Sequence, residues 1–199
     1  MDFLSYSYLQ SGQEGKAREV IDDHQSMTQW ARAIGAARSG DVAAADSAAK
    51  EFAKSVEERD NRARKSGYSV SAEKATDLAE AQACLAFAEG KTDQAVKELR
   101  AAADRQDKNG GDSVGIPARE MLADMLFDAK RSADALAEYK VVPKSAPSRF
   151  DALLGAGRAA QASGDPVSAQ TFYAKLTQVC SAGADRPELA EAKTVLARK

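Results

Sequence analysis

The sequence contains few of the residues from which a β-sheet is usually built. Aromatic residues make up only 6% of its 199 residues, and runs of valine, isoleucine and threonine are absent. Strands are enriched in these residues because such side chains pack well on a pleated surface. Alanine, in contrast, occupies 42 positions, about a fifth of the chain. Since alanine is the strongest helix former, the composition predicts an all-α protein whose helices approach one another closely.

The sequence also lacks the features of membrane proteins and nucleic-acid binders. No apolar run reaches the roughly 18 residues of a transmembrane helix. The sequence contains no basic segment followed by an apolar core, so no signal peptide is predicted. The 28 basic residues are nearly balanced by 30 acidic ones, whereas a nucleic-acid-binding domain shows a strong basic patch. We therefore expect no membrane and no nucleic acid among the partners, and a cytoplasmic location.

Residues that could support catalysis are scarce. The single histidine, His24, stands beside Asp22 and Asp23, and one histidine with two adjacent acids gives poor geometry for a metal. Any nucleophilic site with a histidine base would have to use His24. Cys84 and Cys180 are far apart in the sequence, and we expect them to be reduced thiols. The sequence predicts no enzyme, no cofactor and no metal.

Short turns punctuate the chain between helical patterns. Glycine in such turns permits the left-handed backbone that ends a helix, and a following Asp, Ser or Thr can cap the next helix. These signals predict a succession of helices joined by tight turns. The turns lie at residues 11–15, 39–41, 89–91, 129–132 and 163–165.

A small residue follows each turn, and a second packing residue follows it four positions later. Positions i and i+4 share one face of a helix, so the small residue lets two helices approach and the second residue fills the space beside them. The pairs are Ala17 and Ile21, Ala45 and Ala49, Ala95 and Leu99, Ala135 and Tyr139, and Ala169 and Tyr173.

The last two of these pairs are separated by a fixed interval. Ala169 follows Ala135 by 34 residues (169 − 135), and Tyr173 follows Tyr139 by the same distance (173 − 139). One helix pair cannot bury its apolar face alone, whereas stacked pairs bury it continuously. The interval therefore predicts helix pairs that stack as repeats.

The recurring pattern resembles the tetratricopeptide repeat (TPR) family. The match is best in the last repeat, where Gly157, Gly164, Ala169 and Tyr173 fall at the family's small, turn-glycine, alanine and aromatic positions. In the repeat before it, Lys130 replaces the turn glycine. More broadly, the chain resembles the C-terminal part of long bacterial TPR proteins. The resemblance implies an all-α, right-handed superhelical solenoid of antiparallel helix pairs.

The repeat pattern also gives an expected division of the chain. We expect a single array over residues 1–199, with a first imperfect unit at 1–25 and a capping helix at 185–198. The spacing of 50 residues between Ala45 and Ala95 predicts unusually long helices around residues 57–76. Residues 107–117 are expected to form an exposed loop. The complete units are expected at 26–66, 67–108, 115–148 and 149–181.

The resemblance implies a non-catalytic protein–protein interaction scaffold that binds a peptide or protein on its concave face. The first helix of each pair lines that face in the family. Acids steer cationic partners and aromatic side chains anchor them, so the expected partner is an apolar and basic peptide. The family's groove positions fall at Glu80, Cys84 and Phe87, at Glu120, Asp124, Phe127 and Asp128, and at Asp151, Leu154, Arg158 and Gln161.

Other interpretations of these residues remain open. Phe87 and Phe127 could pack between repeats, and the acids could be ordinary surface residues. Trp30 is either an anchor for a partner or a packing residue. The whole chain could also be a structural segment of a larger TPR protein, or a segment that associates with another copy of itself and so forms a homo-oligomer.

Overall fold

A computed structural model of the chain describes residues 26–67, 72–110, 115–142, 148–180 and 186–197. Over these ranges the chain forms nine α-helices and no β-strand, so the prediction of an all-α fold is confirmed. The helices are α1 Ser26–Arg38, α2 Val42–Lys65, α3 Ala72–Ala88, α4 Thr92–Lys108, α5 Ala118–Asp128, α6 Ser132–Tyr139, α7 Phe150–Ala162, α8 Pro166–Val179 and α9 Pro187–Ala197.

The chain divides into two compact units, Met1–Ala118 and Arg119–Lys199. Helices α1 to α4 belong to the first unit, α5 begins at the division, and α6 to α9 belong to the second. Within the units, α1 packs on α2, α3 on α4 and α7 on α8, each across a turn of three residues. Successive pairs also touch, because α1 packs on α3 and α7 packs on α6.

One turn geometry recurs within all four helix pairs. The second residue after each first helix has a positive φ, between 62° and 81°. The backbone N–H of the residue after it bonds the carbonyl oxygen five residues earlier at 2.9–3.0 Å. This is the helix ending that glycine favours, and Lys130 adopts it in place of glycine. The positive-φ residues are Gly40, Gly90, Lys130 and Gly164, and the N–H to carbonyl pairs are Asp41 to Ala36, Lys91 to Ala86, Arg131 to Leu126 and Asp165 to Ala160.

The predicted pairing of a small residue with a packing residue is confirmed in the described repeats. Each small residue lies at the start of a second helix and is fully buried, which lets the two helix backbones approach. The packing residues four positions later are buried as well. The buried pairs are Ala45 and Ala49, Ala95 and Leu99, Ala135 and Tyr139, and Ala169 and Tyr173. Ala17 and Ile21 lie outside the described residues.

Two glycines of α7 make room for the two repeated tyrosines. A Cβ atom at Gly157 would lie 2.7 Å from Cε1 of Tyr173, well inside van der Waals contact. A Cβ atom at Gly155 would overlap the ring and hydroxyl of Tyr139. Helix α7 therefore receives one tyrosine from α6 and one from α8. Gly157 stands at the family's small position, whereas Gly155 has no equivalent in the resemblance.

The predicted long helix and the predicted exposed loop each agree only in part with the structure. Helix α2 runs for 24 residues, and its buried positions end at Val56, so the predicted long helix is confirmed up to Lys65. Helix α4 continues to Lys108. The expectation of an exposed loop over residues 107–117 is therefore wrong for Asp107 and Lys108, which are helical, and for Ile116 and Pro117, which are buried.

The last helix, α9, packs on α8 and buries Leu189 and Ala192 while Lys193 stays exposed. It lies within the predicted capping range, and Pro187 occupies its first turn, where proline is favoured. The other helix pairs also lie within the ranges predicted for repeat units. The exact repeat boundaries and the single array over 1–199 remain predictions, and unit 1–25 lies outside the described residues.

Candidate interaction surface

The candidates on α3 lie mainly inside the first unit. Glu80 is only 2% exposed, and its Oε2 accepts a 2.8 Å hydrogen bond from Nε1 of Trp30 on α1. Burial raises the pKa of Glu80 well above its usual value, and nearby Asp77 raises that pKa further. Trp30 is itself buried, which favours its interpretation as a packing residue. Cys84 is buried and Phe87 is half-buried.

On α5, Glu120 connects its helix to the start of α7. Its carboxylate is 2% exposed and receives two bonds from the guanidinium of Arg149, one from Nε and one from Nη2 at 3.2 Å. Arg149 is the residue that immediately precedes α7. Such a forked, charge-assisted pair fixes both distance and orientation. Glu120 thus serves the packing of two first helices.

The remaining candidates of α5 are closer to solvent. Asp124 is half-buried and accepts a hydrogen bond from the hydroxyl of Tyr139. Burial raises the pKa of the Tyr139 hydroxyl far above its usual value, and Asp124 adds to that rise. Phe127 is half-buried and Asp128 is exposed. The spacing of 124, 127 and 128 places these three side chains on one face of α5.

A polar network joins α7, α8 and α9. Nε of Arg158 lies 3.1 Å from both carboxylate oxygens of Glu191, and Nη2 lies 2.6 Å from Oε2. The hydroxyl of Tyr173 lies 2.7 Å from Oε1 of Glu191 and 2.7 Å from Oε1 of Gln161. One hydroxyl hydrogen cannot serve two acceptors, whereas a Gln161 amide turned over would donate to the hydroxyl. The consistent assignment is that Gln161 donates to Tyr173 and Tyr173 donates to Glu191.

The electrostatics of this network keep both charged partners ionised. The hydrogen bond from Arg158 lowers the pKa of Glu191, against the opposing effect of burial. The same bond raises the pKa of Arg158. Burial raises the pKa of the Tyr173 hydroxyl, and Glu191 raises it further, so the hydroxyl keeps its proton. The network is therefore one anion, one cation and two neutral donors.

The structure brings together only part of the predicted set. Arg158 and Gln161 meet through Tyr173 and Glu191, while Asp151 is half-buried and Leu154 is buried on α7. Glu191 was not among the predicted residues, although its spacing from Arg158 in the sequence points to it. Glu191 follows Arg158 by 33 residues, close to the repeat interval, and opposite charges at that interval fall on neighbouring first helices.

No metal site or membrane span is evident in the part of the chain that the structure describes. No group of His, Cys, Asp and Glu there is arranged to hold a metal ion. None of the described helices is both long and apolar enough to cross a bilayer. His24 lies outside the described residues.

Two surface cavities of the second unit occupy equivalent places in successive repeats. Lys130 and Gly164 are 34 residues apart (164 − 130), as are Ser132 and Pro166 (166 − 132), and each cavity contains one member of both pairs. The cavities thus arise from the stacking of repeats. The first, of about 350 Å³, is lined by Lys130, Arg131, Ser132, Ala133, Asp134, Ala162 and Ser163. The second, of about 280 Å³, is lined by Gln161, Gly164, Pro166, Ala169, Gln170 and Val195.

Comparison with known proteins supports the fold through structure alone. No family model and no curated protein matches the sequence. Among solved structures, the chain is similar to the nearly identical TPR-like repeats of a Podosopora anserina protein assigned as a kinesin light chain. The TM-score is 0.58 at 17% sequence identity, over 86% of this chain and 83% of that one. A variant of the same repeats matches with a TM-score of 0.59 at 16% identity, over 90% and 86%. The chain is therefore a TPR-like helical repeat protein in its fold.

Proposed function

We propose that this chain is a non-catalytic scaffold that binds an apolar and basic peptide along the first helices of its second unit. The surface concerned, called the first-helix face below, belongs to the side that the TPR resemblance assigns to the concave groove. Its residues are Asp124, Phe127 and Asp128 on α5, Asp151, Arg158 and Gln161 on α7, and Glu188 and Glu191 on α9. Leu154, the other predicted residue of α7, is buried and contributes to packing.

The observation that carries the proposal is the charge balance of this face. Arg158 is its one basic residue, and the ion pair with Glu191 cancels that charge. The face also contains the acidic side chains of Asp124, Asp128, Asp151 and Glu188, and Asp124 accepts a hydrogen bond from the Tyr139 hydroxyl. Glu120, the remaining acid predicted in the second unit, forms an ion pair with Arg149. A face with several acids attracts cationic partners and repels anionic ones.

Apolar contacts complete the proposed surface. Phe127 is half-buried, so part of its ring is accessible beside Asp128. Aromatic side chains of this kind provide much of the binding energy at protein interfaces. In the first unit, Phe87 is the candidate that keeps comparable exposure. Glu80 and Cys84 contribute to that unit through packing.

A matched pair of charge reversals tests the proposal on a library of random 12-residue peptides. We expect the selected peptides to combine lysine or arginine with apolar residues, and we expect Asp128→Lys on the first helix α5 to abolish that selection. Asp134→Lys changes the same charge on the second helix α6, where Asp134 is exposed and pairs with Arg131. An exposed pair of this kind contributes little to stability. Equal effects of the two variants, or selection without a charge bias, would contradict the proposal.

A second candidate function is self-association through the second helix α8. Val167 on this helix is 74% exposed, and it is the most exposed large apolar side chain in the described part of the chain. This function predicts association that depends on concentration and is lost in Val167→Lys, measured by sedimentation velocity. Peptide binding on the first-helix face would be unchanged in that variant.

We propose a cytoplasmic location for the scaffold. Cys84 and Cys180 are both thiols rather than parts of a disulfide, and such thiols are typical of reducing compartments. Labelling of Cys180, which is half-exposed, with a thiol reagent in intact and lysed cells tests this location. Oxidation of the thiol in intact cells would contradict it.

A further inference from the structure

We infer that Glu191 determines the charge preference of the first-helix face by masking Arg158. The face then accepts peptides with lysine or arginine and rejects peptides with carboxylates. This inference rests on the proposed function and names the residue that decides which class of peptide the face takes.

The geometry supports masking because Glu191 occupies the donors that Arg158 would offer to a ligand. Three N–O distances of 2.6–3.1 Å join the two side chains. A guanidinium recognises carboxylates through this same forked arrangement. The Arg158 side chain is still 42% exposed, so a peptide carboxylate could reach it if Glu191 were absent.

Glu191 is held in place by two further sets of contacts. The hydroxyl of Tyr173 donates to its carboxylate at 2.7 Å. Leu189 and Ala192 on either side of it are buried against the rest of the second unit. Packing therefore fixes the backbone of α9 at Glu191, and the Tyr173 hydroxyl helps to hold the carboxylate where it pairs with Arg158.

A purely structural role for the ion pair makes a different prediction. If Glu191 only holds α9 in place, its substitution changes stability and leaves the charge preference of the face unaltered. If Glu191 masks Arg158, its substitution changes the preference, because the guanidinium N–H groups of Arg158 then no longer bond Glu191 and can bind a peptide carboxylate. Removing both charges would then restore the preference.

The test uses two 12-residue probe peptides with the same leucines, one carrying lysines and the other glutamates. Binding is measured by fluorescence anisotropy with the wild type, Glu191→Gln and the Arg158→Gln/Glu191→Gln double variant. Glutamine keeps the hydrogen-bonding capacity near Tyr173 and removes the charge. We expect Glu191→Gln to weaken binding of the lysine peptide by about fivefold, which corresponds to one Coulomb interaction between unit charges about 4 Å apart in water. Binding of the glutamate peptide should become measurable, and the double variant should recover the wild-type preference.

The outcomes separate failure of the inference from failure of the proposed function. If the wild type binds the lysine peptide and Glu191→Gln keeps the same preference, the inference alone is overturned. If the double variant fails to recover, the ion pair is structural and the inference is overturned. If the wild type binds neither peptide, the proposed function falls and the inference falls with it.

A chemical measurement tests masking without any peptide. The rate at which phenylglyoxal modifies Arg158 is followed by mass spectrometry in the folded wild type and in Glu191→Gln, with far-ultraviolet circular dichroism as the check on folding. Masking predicts slower modification in the wild type, and equal rates would overturn it. Arg186, which lies 4.5 Å over the ring of Phe150, is an internal reference whose rate should not change between the two proteins.

Discussion

Replacing Gly157 by alanine should destabilise the second unit, although alanine normally strengthens a helix. The added Cβ would lie 2.7, 2.8 and 3.0 Å from Cε1, Cζ and Cδ1 of Tyr173. Carbon atoms in contact prefer separations of about 3.5–4.0 Å. The ring would have to move by several tenths of an ångström or more. Tyr173 is fully buried and its hydroxyl is bonded to Glu191 at 2.7 Å, so the ring has little freedom to move.

The expected magnitude follows from two opposing effects. Overpacking a core typically costs about 1–3 kcal/mol. Alanine in place of glycine within a helix returns about 0.5–1 kcal/mol. The middle of each range leaves a net loss of about 1 kcal/mol in the free energy of unfolding. For a chain of this size, that corresponds to a Tm lower by about 2–4 °C.

The assay is thermal and urea unfolding followed by circular dichroism, with hydrogen exchange to locate the effect. Repeat proteins can unfold in parts. Hydrogen exchange resolved by mass spectrometry should therefore be faster than in the wild type in α7 and α8, and close to the wild type in α1 to α4. Tyr173→Leu supplies the rescue, because it removes the ring that the new methyl group meets. In a protein that already carries Tyr173→Leu, Gly157→Ala should leave the free energy of unfolding unchanged or raise it.

A second glycine of α7 supplies the matched control. Gly155→Ala should meet the ring of Tyr139, so Tyr139→Leu should rescue it and Tyr173→Leu should not. The reasoning would be refuted if Gly157→Ala were stabilising in the wild-type background. It would also be refuted if the two rescues worked interchangeably.

Three further predictions follow from local features of the helices. The pKa of Glu80 is raised above its value in the unfolded chain, so the free energy of unfolding should fall as pH rises from about 4.3 through the folded pKa. Glu80→Gln should remove this fall. Unfolding can be followed by the fluorescence of Trp30, the only tryptophan. Lys130 has a φ of 62°, and Lys130→Gly should raise the free energy of unfolding by about 0.5–1 kcal/mol in urea titrations, whereas an unchanged value would argue against strain at this turn. Asp41 caps α2 through a 3.0 Å bond to the N–H of Ala44, so Asp41→Ala should cost about 1 kcal/mol, while Lys91→Ala, at a cap without a side-chain bond, should be neutral.

The sequence was sufficient to predict the repeated helix pairs because their cause is local and periodic. Ala135 and Tyr139 recur as Ala169 and Tyr173, and burial of small and large residues at i and i+4 follows from helix geometry. The turns were predictable for the same reason, since a positive φ after a helix favours glycine. Even the exception, Lys130, was recognisable by its position in the repeat.

The polar contacts between first helices were not predictable in the same way. Glu80 and Glu120 carry no sequence mark that distinguishes a buried acid from a surface one, and their partners, Trp30 and Arg149, are 50 and 29 residues away. The interval between Arg158 and Glu191 was readable in principle, because it is close to one repeat. Deciding which acids face solvent requires the packing of side chains from two helices, which a period of 34 residues does not specify.

The most direct test of the proposed scaffold is hydrogen exchange of the full chain with and without the lysine and leucine probe peptide. Binding on the first-helix face predicts slower exchange in α5, α7 and α9, with α6 and α8 unchanged. Slower exchange confined to α6 and α8, or no change at saturating peptide, would contradict the account.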